Sequence, residues 1–577
     1  MIYRGYPVSP GIAIGKVFVY QPFEAVVNET QFPEEKTKEY MGRFHEICDE
    51  AEKELIGIEE FLNKKDPDKA KIFKAHQDIL SDVAIVEDIE DAINCDHLMP
   101  DFSIDMVFKK YIKVLEKAKD PLIAERTADL RDVRNRLLRI WCGVQEKNLS
   151  NLPGPVIIVA RDLLPSDTAT LDRENVIGIA TEVGGSTSHS AIIAKSYEIP
   201  AVLGICNLLG TVIDGEEVVL DACDGFLYTD ATESELHDFE NKRKVFLDDV
   251  HEVKEYLFRE PLTADGVHID IGLNIGSPNP EELANNECSD MVGLFRTEFL
   301  YMGSMRLPTE DEQFTAYKTV LSKYGERPVT LRTLDIGGDK TLSYMELPRE
   351  DNPFLGNRAL RLCFDNIPIF KTQLRAAYRA SVFGNLWLMM PMVGSLDDIR
   401  GAKKIIEEVK AELTAEGIEY KKDVKVGIMI EIPSIAMIAD LAADEVDFAS
   451  IGTNDLCQYL TAVDRLNPAV AKYYQSYSPA MFRILARIVG AFNDKGKPIC
   501  ICGELGGDSL VTVALVGMGM RKLSMSRSSV ARVKRILSKV TMPTAQEAAQ
   551  TVQNLHTAQE CREYLEKLTK ELRKPKR

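Results

Sequence analysis

The sequence predicts a multidomain α/β protein that ends in a (β/α)₈ barrel, and three regularities along its 577 residues predict this class. From about residue 264 onward, eight short apolar runs alternate with helical stretches. Residues 34–146 carry charged helical patterns without strand signals. Residues 154–229 carry short β-branched runs between Gly, Asp and Pro turns. A chain of this length exceeds what one core supports, so these regions are expected to be separate units.

The apolar runs of the C-terminal half have the spacing of barrel strands. They begin near His268, Met291, Val329, Leu386, Val424, Val446, Pro498 and Lys522. Eight strand and helix units in about 270 residues match the size of a (β/α)₈ barrel. In that fold the catalytic groups lie at the C-terminal ends of the strands, so a site is expected there.

The N-terminal half predicts a small α/β domain that a helical bundle interrupts. The first twenty residues alternate like a strand and its turn, and they belong with the β-branched runs further along. The helical stretch is then an insertion, and Glu233 to Phe258 has the charge density of a connecting helix. The predicted boundaries are 1–25 with 147–230 for the α/β domain, 26–146 for the bundle, 231–262 for the connecting helix and 263–577 for the barrel.

Composition argues against several classes of function. A net charge of -20 disfavours a nucleic-acid binder, which needs clustered Lys and Arg, and suits a basic protein partner instead. The longest apolar run, residues 510–520, is shorter than the roughly 18 residues that span a bilayer, and the first residues lack the apolar stretch of a secretory signal. The 11 cysteines are scattered, as reduced thiols are, so the expected location is the cytoplasm.

The segment from Thr181 to Ser190 places His189 at the predicted first turn of a helix. Two glycines permit a tight turn, and Ser186, Thr187 or Ser188 can cap the helix. Free backbone N–H groups and the helix dipole favour an anion there and disfavour imidazolium, so the ring stays neutral and nucleophilic. A histidine after such a turn is more often a capping or packing residue, and the rest of the chain decides between the two roles.

Charged residues and one cysteine collect where the predicted barrel strands end or in the loops that follow. They are Arg296, Arg332, Glu431, Asp455, Arg465 and Cys502. The arginines can bind phosphate or carboxylate groups in a bidentate manner, as a small anionic substrate requires. Glu431 and Asp455 offer the oxygen ligands that Mg²⁺ prefers, and Cys502 is the candidate proton donor. Each residue alone is more often structural, and their coincidence at one end of the barrel favours a site.

Two segments of the chain resemble the signatures of phosphoenolpyruvate-utilising enzymes. Gly184 to His189 is similar to their phosphohistidine signature, and Asp447 to Tyr459 is similar to their second signature. Within that family the chain looks like the Enzyme I group of bacterial sugar phosphotransferase systems. The similarity runs from Ser9-Pro10-Gly11 to Cys502-Gly503-Glu504-Leu505, essentially the whole chain.

The resemblance implies a reaction. Phosphoenolpyruvate binds in the barrel with Mg²⁺, and His189 on a swivelling domain takes the phosphoryl group. Cys502 protonates the enolate to give pyruvate, and the phosphohistidine passes to a histidine-containing phosphocarrier protein docked on the helical bundle. The resemblance also implies a homodimer formed through the barrels.

The same resemblance implies a role for each residue at the barrel mouth. Arg296 and Arg332 grip the phosphate, Arg465 with Asn454 and Asp455 holds the rest of the substrate, and Glu431 with Asp455 carries Mg²⁺. On the bundle, Phe73, His76 and Leu80 share one helical face and are candidates for phosphocarrier contact. Core packing explains Phe73 and Leu80 equally well, whereas His76 is expected to be exposed.

Three departures from the family pattern bear on rate and substrate orientation. Ser186 stands where the family commonly has Arg, Asn357 stands where it usually has an aromatic residue, and Arg527-Ser528-Ser529 is less apolar than usual. The alternatives are an enzyme of the pyruvate phosphate dikinase or phosphoenolpyruvate synthase type, a phosphohistidine scaffold without chemistry, and a nitrogen-regulatory paralogue. The first would carry a nucleotide-binding region before its histidine, and no Gly-rich phosphate loop precedes His189.

Overall fold

The computed structural model divides into two compact units, Met1–Asp249 and Val250–Arg577. It describes residues 1–21, 27–63, 67–115, 121–144, 149, 152, 154–163, 171–184, 188–284, 286–302, 304, 306–338, 340, 342, 344–345 and 350–573. None of the helices described in these ranges is long and apolar enough to span a membrane. All 11 cysteines are free thiols, in agreement with the sequence-based expectation.

The first unit contains an eight-stranded mixed sheet with strand order β1-β8-β7-β3-β4-β5-β6-β2. Its strands are β1 Ile2–Arg4, β2 Tyr6–Ser9, β3 Ile12–Tyr20, β4 Val156–Ala160, β5 Val176–Thr181, β6 Ala201–Leu203, β7 Glu217–Asp221 and β8 Phe226–Thr229. The N-terminal strand β3 pairs in parallel with β4 and antiparallel with β7, so the two ends of the α/β domain meet in one sheet. Strand β4 is buried along its length, as a strand covered on both faces requires.

Among the described residues between β3 and β4, five α-helices form a separate core. They are α1 Thr37–Asn63, α2 Pro67–Leu80, α3 Val83–Asn94, α4 Pro100–Leu115 and α5 Pro121–Trp141. Their apolar stripes meet in one cluster that includes Phe44, Ile89 and Leu138. The bundle is therefore an insertion in the α/β domain, as the strand pattern predicted.

The candidate contact face of the bundle is part of its core. Phe73 and Leu80 are buried, which supports the packing alternative for these two residues. The prediction that His76 is exposed is wrong, since only 3% of it is accessible. Its Nε2 lies 3.1 Å from Asp129 Oδ1 on α5, and its ring packs edge-on against Phe73. Helical periodicity alone does not predict whether a polar side chain is exposed, because a hydrogen bond to a charged residue on another helix allows it to be buried.

Two further helices of the N-terminal region follow from local signals. Helix α6 His189–Ser196 comes after β5 and packs Ala191 and Ala194 on one face of the sheet. Helix α7 Glu233–Glu255 is the predicted connecting helix, and its Lys242 pairs with Asp221 and Asp224.

The second unit is a closed barrel of eight parallel strands. The strands are β9 Asp270–Ile275, β10 Met291–Arg296, β11 Pro328–Arg332, β12 Asn385–Met390, β13 Lys425–Ile430, β14 Phe448–Gly452, β15 Ile499–Cys502 and β16 Lys522–Met525. Each strand begins within a few residues of its predicted start. The closing pair joins β16 to β9, so within the described barrel no strand edge is open.

Helices surround the barrel in the order expected of this fold. They are α8 Pro280–Leu283, α9 Glu298–Met302, α10 Glu310–Tyr324, α11 Leu360–Asp365, α12 Ile367–Ala380, α13 Leu396–Ala415, α14 Pro433–Met437, α15 Ala439–Glu445, α16 Thr453–Thr461, α17 Pro479–Asp494, α18 Thr512–Gly517, α19 Arg527–Leu537, α20 Met542–Asn554 and α21 Ala558–Arg573. Their buried faces and the outward faces of the strands form one large core cluster. This packing fixes the C-terminal ends of the strands relative to one another.

Candidate functional site

Helix α6 begins at His189, and Ser188 is its N-cap. The Ser188 Oγ accepts a hydrogen bond from the Ala191 backbone N–H at 3.3 Å, as one of the three predicted capping residues should. Ser186 and Thr187, with the side chain of His189, lie outside the described part of the structure.

A partly buried hydrogen bond joins the first turn of α6 to the segment that follows β4. Ser190 Oγ donates to Asp162 Oδ1 at 2.8 Å, and the Leu163 backbone N–H donates to the same carboxylate oxygen at 2.8 Å. The backbone of His189 is thereby held at the N-terminus of the helix, where exposed N–H groups and the dipole favour a negative group.

At the barrel mouth, the predicted site residues occupy the C-terminal ends of strands and the loops that follow them. Arg296 ends β10, Arg332 ends β11 and Cys502 ends β15. The remaining predicted residues follow strands: Glu431 follows β13, Asn454 and Asp455 open α16 after β14, and Arg465 lies in the loop after α16.

Arg332 lies in a buried ion-pair network. Its Nη2 donates to Glu298 Oε1 at 2.6 Å and lies 2.9 Å from Asp335 Oδ2. Lys340 Nζ contacts the same two carboxylates at 2.8 and 3.0 Å. Burial disfavours the ionised form of Asp335, yet the neighbouring Arg332, Lys340 and Arg358 hold its pKa well below the ordinary value. Both acids therefore stay ionised and keep the cations in place.

Arg358 is a second buried arginine of this network, and the sequence analysis did not select it. Its Nη2 donates to Asp335 Oδ1 at 2.9 Å, and its Nη1 lies 3.3 Å from both Asp455 Oδ1 and the Tyr459 hydroxyl. The residue sits far from any strand end in the sequence, in the long segment between β11 and α11. Only the path of this segment brings Arg358 to the mouth. Gly337, with a φ of 105°, has no side chain and so leaves room for the Cβ of Arg358.

Glu431 and Asp455 are neighbouring acids at the mouth, and two arginines, Arg358 and Arg465, lie beside Asp455. Glu431 is almost fully buried, and its Oε1 accepts a hydrogen bond from the Met392 backbone N–H at 2.6 Å. Burial, and then the neighbouring carboxylates of Asp455 and Asp335, raise the pKa of Glu431 to about 8. A divalent cation between these oxygen ligands would relieve that repulsion, and hard oxygen donors suit such an ion.

Cys502 is buried at the mouth end of β15, and its Sγ lies 3.3 Å from the Ile451 carbonyl oxygen. Burial raises the pKa of the thiol to about 11. The sulfur therefore carries its proton at neutral pH, which a proton donor requires.

The remaining candidates frame the same mouth. Asn454 Oδ1 accepts a hydrogen bond from the Glu504 backbone N–H at 3.1 Å, and Arg465 Nη1 lies 3.6 Å from Asp455 Oδ1. Arg296 is half-buried, and its side chain makes no hydrogen bond or ion pair with the part of the chain that the structure describes.

Several buried charged atoms at this mouth lack a hydrogen-bond partner among the described residues. They are Glu298 Oε2, Arg332 Nε, Arg358 Nε and Arg465 Nη1. Buried polar groups are nearly always satisfied in native proteins, so unsatisfied guanidinium donors indicate a ligand. The donors are cationic, which favours an anionic ligand.

Comparison with known families covers most of the chain. The model of the PEP-binding domain of PEP-utilising enzymes matches residues 251–542, the N-terminal model matches residues 4–126 and the mobile-domain model matches residues 152–225. The matched barrel model alone spans half of the chain. Fold and site together define a phosphoenolpyruvate-utilising enzyme.

Curated relatives agree over nearly the full length. Phosphoenolpyruvate-protein phosphotransferase from Priestia megaterium is 40% identical over 563 residues, 97% of this chain and 98% of the relative. The enzyme of the same name from Bacillus subtilis is 40% identical over 96% of this chain and 98% of its own length. An NMR solution structure of Enzyme I is 38% identical and covers 42% of this chain and 99% of its own, with a TM-score of 0.39. The chain belongs to the family of phosphoenolpyruvate-protein phosphotransferases.

Proposed function

We propose that this chain transfers the phosphoryl group of phosphoenolpyruvate to His189 and then to a histidine-containing phosphocarrier protein, the first step of sugar uptake by a phosphotransferase system. The observation that carries the proposal is the buried network at the barrel mouth, where guanidinium donors without partners lie beside an acidic pair. The family supports the same reaction. The dikinase-like alternative is not favoured, because the relatives that match nearly the whole chain are phosphotransferases.

The arginines bind and neutralise the substrate. Arg296 and Arg332 grip the phosphate, and Arg465 with Asn454 and Asp455 orients the rest of the molecule. Phosphoryl transfer depends chiefly on positioning and charge neutralisation, which buried guanidinium groups supply in a site of low dielectric. The carboxylates of Glu298 and Asp335 hold Arg332 in one orientation before the substrate binds.

Glu431 and Asp455 are the residues that would hold Mg²⁺. The raised pKa of Glu431 fits a site that a cation completes, because burial and then the neighbouring carboxylates disfavour its ionised form. When bound, the ion would neutralise negative charge on the substrate oxygens.

His189 and Cys502 carry the bond changes. A neutral ring nitrogen of His189 forms a bond to phosphorus as the bond between phosphorus and the enol oxygen breaks. The enolate that leaves takes a proton at carbon from the Cys502 thiol and becomes pyruvate. The N-terminus of α6 then stabilises the negative charge on the phosphohistidine.

The remaining assignments come from the family. Residues 1–25 with 147–230 are proposed as the swivelling phosphohistidine domain, 26–146 as the phosphocarrier-binding bundle, 231–262 as the linker helix and 263–577 as the phosphoenolpyruvate-binding and dimerising barrel. We place the protein in the cytoplasm as a homodimer.

The test is labelling with [³²P]phosphoenolpyruvate and Mg²⁺, followed by acid and base treatment of the labelled protein. We expect an acid-labile, base-stable label in the wild type and in His237→Ala, whose histidine is exposed, and no label in His189→Ala. Label that persists in His189→Ala would contradict the assignment of His189 as the phosphorylated residue. A requirement for ATP would favour the dikinase alternative, and label that no phosphocarrier protein removes would exclude the partner.

A further inference from the structure

A histidine and two aspartates meet at the N-terminal ends of neighbouring barrel strands, at the end opposite the mouth. His268 precedes β9 by two residues, Asp270 opens β9, and Asp290 directly precedes β10. Ile269 is fully buried, so the alternation of an extended chain leaves His268 and Asp270 on one face. Strands β9 and β10 pair in parallel, which brings Asp290 to the same place. One ligand atom of each of the three side chains lies within 4.8 Å of those of the other two.

The spacing of these atoms is close to that of ligands around one metal ion. His268 Nε2 lies 3.2 Å from Asp270 Oδ1 and 3.9 Å from Asp290 Oδ1. Ligand atoms that are each about 2.1 Å from a tetrahedral Zn²⁺ are about 3.4 Å apart, so a small shift of Asp290 would complete the arrangement. The three side chains are 30–41% exposed. An ion can therefore enter from solvent and keep a water molecule as its fourth ligand.

Neighbouring donors already hold the two carboxylates in place. The Ile271 backbone N–H donates to Asp290 Oδ2 at 2.7 Å, and the Lys522 ammonium group binds Asp270 Oδ2. Each aspartate thus has one oxygen engaged by a donor and its Oδ1 left to face the imidazole. Hydrogen bonds of this kind, made to the atoms that do not bind the ion, are what orient the ligands of metal sites.

The surroundings of the imidazole favour a divalent cation. Glu260 Oε1 lies 3.6 Å from His268 Nδ1, and a carboxylate on that side favours a proton on Nδ1, which leaves Nε2 free as a ligand. Three carboxylates and one ammonium group surround the ring, so the cluster has an excess of two negative charges. An imidazole among the ligands favours Zn²⁺ over Mg²⁺, which prefers oxygen ligands.

We propose that His268, Asp270 and Asp290 bind Zn²⁺ or a similar first-row divalent cation, with water as the fourth ligand. The ion joins residues 260–269, the segment that enters the barrel, to the starts of β9 and β10. In barrel enzymes this end of the fold serves stability and the opposite end serves catalysis, so the expected role of the ion is structural. The site is separate from Glu431 and Asp455 at the mouth and does not depend on the proposed phosphoryl transfer.

Isothermal titration calorimetry of the full-length protein with ZnCl₂ tests the site. The buffer contains excess Mg²⁺, which occupies sites made of oxygen ligands alone. Exposed thiols such as Cys95, Cys142 and Cys206 are first alkylated with iodoacetamide, because free thiols also bind Zn²⁺. We expect the wild type to bind one more Zn²⁺ than His268→Ala does.

Two further variants and one control sharpen the titration. Asp290→Asn keeps an oxygen for the Ile271 N–H but loses the anionic ligand, and Glu260→Ala removes the carboxylate beside Nδ1. Each should weaken Zn²⁺ binding about tenfold or more. His45→Ala is the matched control, because His45 is an exposed histidine whose Nε2 lies 3.4 Å from a single carboxylate oxygen, Glu90 Oε1. It should bind Zn²⁺ as the wild type does.

Hydrogen exchange locates the bound ion independently of the heat. The Ile271 amide donates to Asp290 Oδ2, so Zn²⁺ should slow its exchange about tenfold in the wild type and in His45→Ala. The same addition should leave this amide unchanged in His268→Ala. Because His268 is 41% exposed, the circular dichroism spectrum of His268→Ala should match that of the wild type.

Equal numbers of bound Zn²⁺ ions in the wild type and His268→Ala would overturn the site, and His268 would then be only an ion-pair partner of Asp270. Unweakened binding in Asp290→Asn would also overturn it, as would protection of the Ile271 amide by Zn²⁺ in His268→Ala. None of these results bears on labelling by phosphoenolpyruvate, which tests the proposed function separately.

Discussion

Arg332 Nη2 and Asp335 Oδ2 lie 2.9 Å apart at the mouth of the barrel, and both side chains are almost fully buried. The carboxylate also contacts Lys340 and Arg358. Asp335 thus contacts three cations, two of which also pair with Glu298. A charge of either sign is costly to bury alone. The arginines can therefore remain buried without an anionic substrate only while the Asp335 carboxylate stays ionised.

Asp335→Asn should destabilise the barrel strongly. Removal of one partner from a buried ion pair costs about 3–5 kcal/mol, since the remaining charges are left uncompensated. Urea denaturation followed by circular dichroism measures the change. Asp397→Asn is the control, because Asp397 is exposed and lies 3.9 Å from Arg400, and it should change stability by less than about 1 kcal/mol. Equal stability of the two variants would contradict the buried network.

Glu431 should make the stability of the metal-free protein depend on pH. Its pKa in the folded state, about 8, lies above that of an unfolded glutamate, so the folded state binds the proton more tightly. The associated stability is fully present below the unfolded pKa and is lost as pH rises through about 8. We expect Glu431→Gln to exceed the wild type in unfolding free energy by about 1–3 kcal/mol at pH 9.

Thermal unfolding of both proteins in EDTA between pH 5 and pH 9 tests this dependence on Glu431. The difference in midpoint should grow as pH rises. A difference that is constant across the range would mean that Glu431 does not titrate in this interval.

Ser188→Ala should loosen the first turn of α6 without unfolding the domain. The serine Oγ accepts from the Ala191 N–H, and loss of an N-cap costs about 1 kcal/mol. Hydrogen exchange at the Ala191 amide should then accelerate about fivefold, while exchange in β4 is unchanged. Ser188→Thr, which retains a capping oxygen, should exchange like the wild type. Unchanged protection in Ser188→Ala would exclude Ser188 as the cap.

His76→Ala should destabilise the helical bundle. The ring is buried, hydrogen-bonded to Asp129 and packed against Phe73. Its loss leaves a cavity and an unpaired carboxylate, which together should lower the free energy of unfolding by about 2 kcal/mol. His45→Ala removes a histidine that is half exposed in the same bundle and should cost less than about 0.5 kcal/mol. Chemical denaturation of the two variants distinguishes a core histidine from a surface histidine. Equal stabilities would restore the earlier interpretation of His76 as an exposed residue.

Local sequence signals determined the parts of this protein that depend on local periodicity. The eight strand starts, the inserted helices and the connecting helix follow from patterns within about twenty residues, because burial on one face sets the period of the apolar side chains. The strand ends were predictable for the same reason. The positions of Arg332, Cys502 and the residues after β13 and β14 followed from these ends together with the general rule for barrel sites. The sequence narrowed the N-cap of α6 to Ser186, Thr187 or Ser188, and the structure selected Ser188.

Tertiary structure alone decided which charges meet. Arg358 and Asp335 are 23 residues apart, yet their side chains lie 2.9 Å apart, and no periodic pattern connects them. The burial of His76 depends on Asp129, which belongs to another helix. The alignment of Ser450 with Cys500 depends on the register between two strands almost fifty residues apart in sequence. Contacts of this kind form only when loops and sheets bring residues that are distant in sequence together. Local sequence patterns therefore cannot predict which two residues will pair.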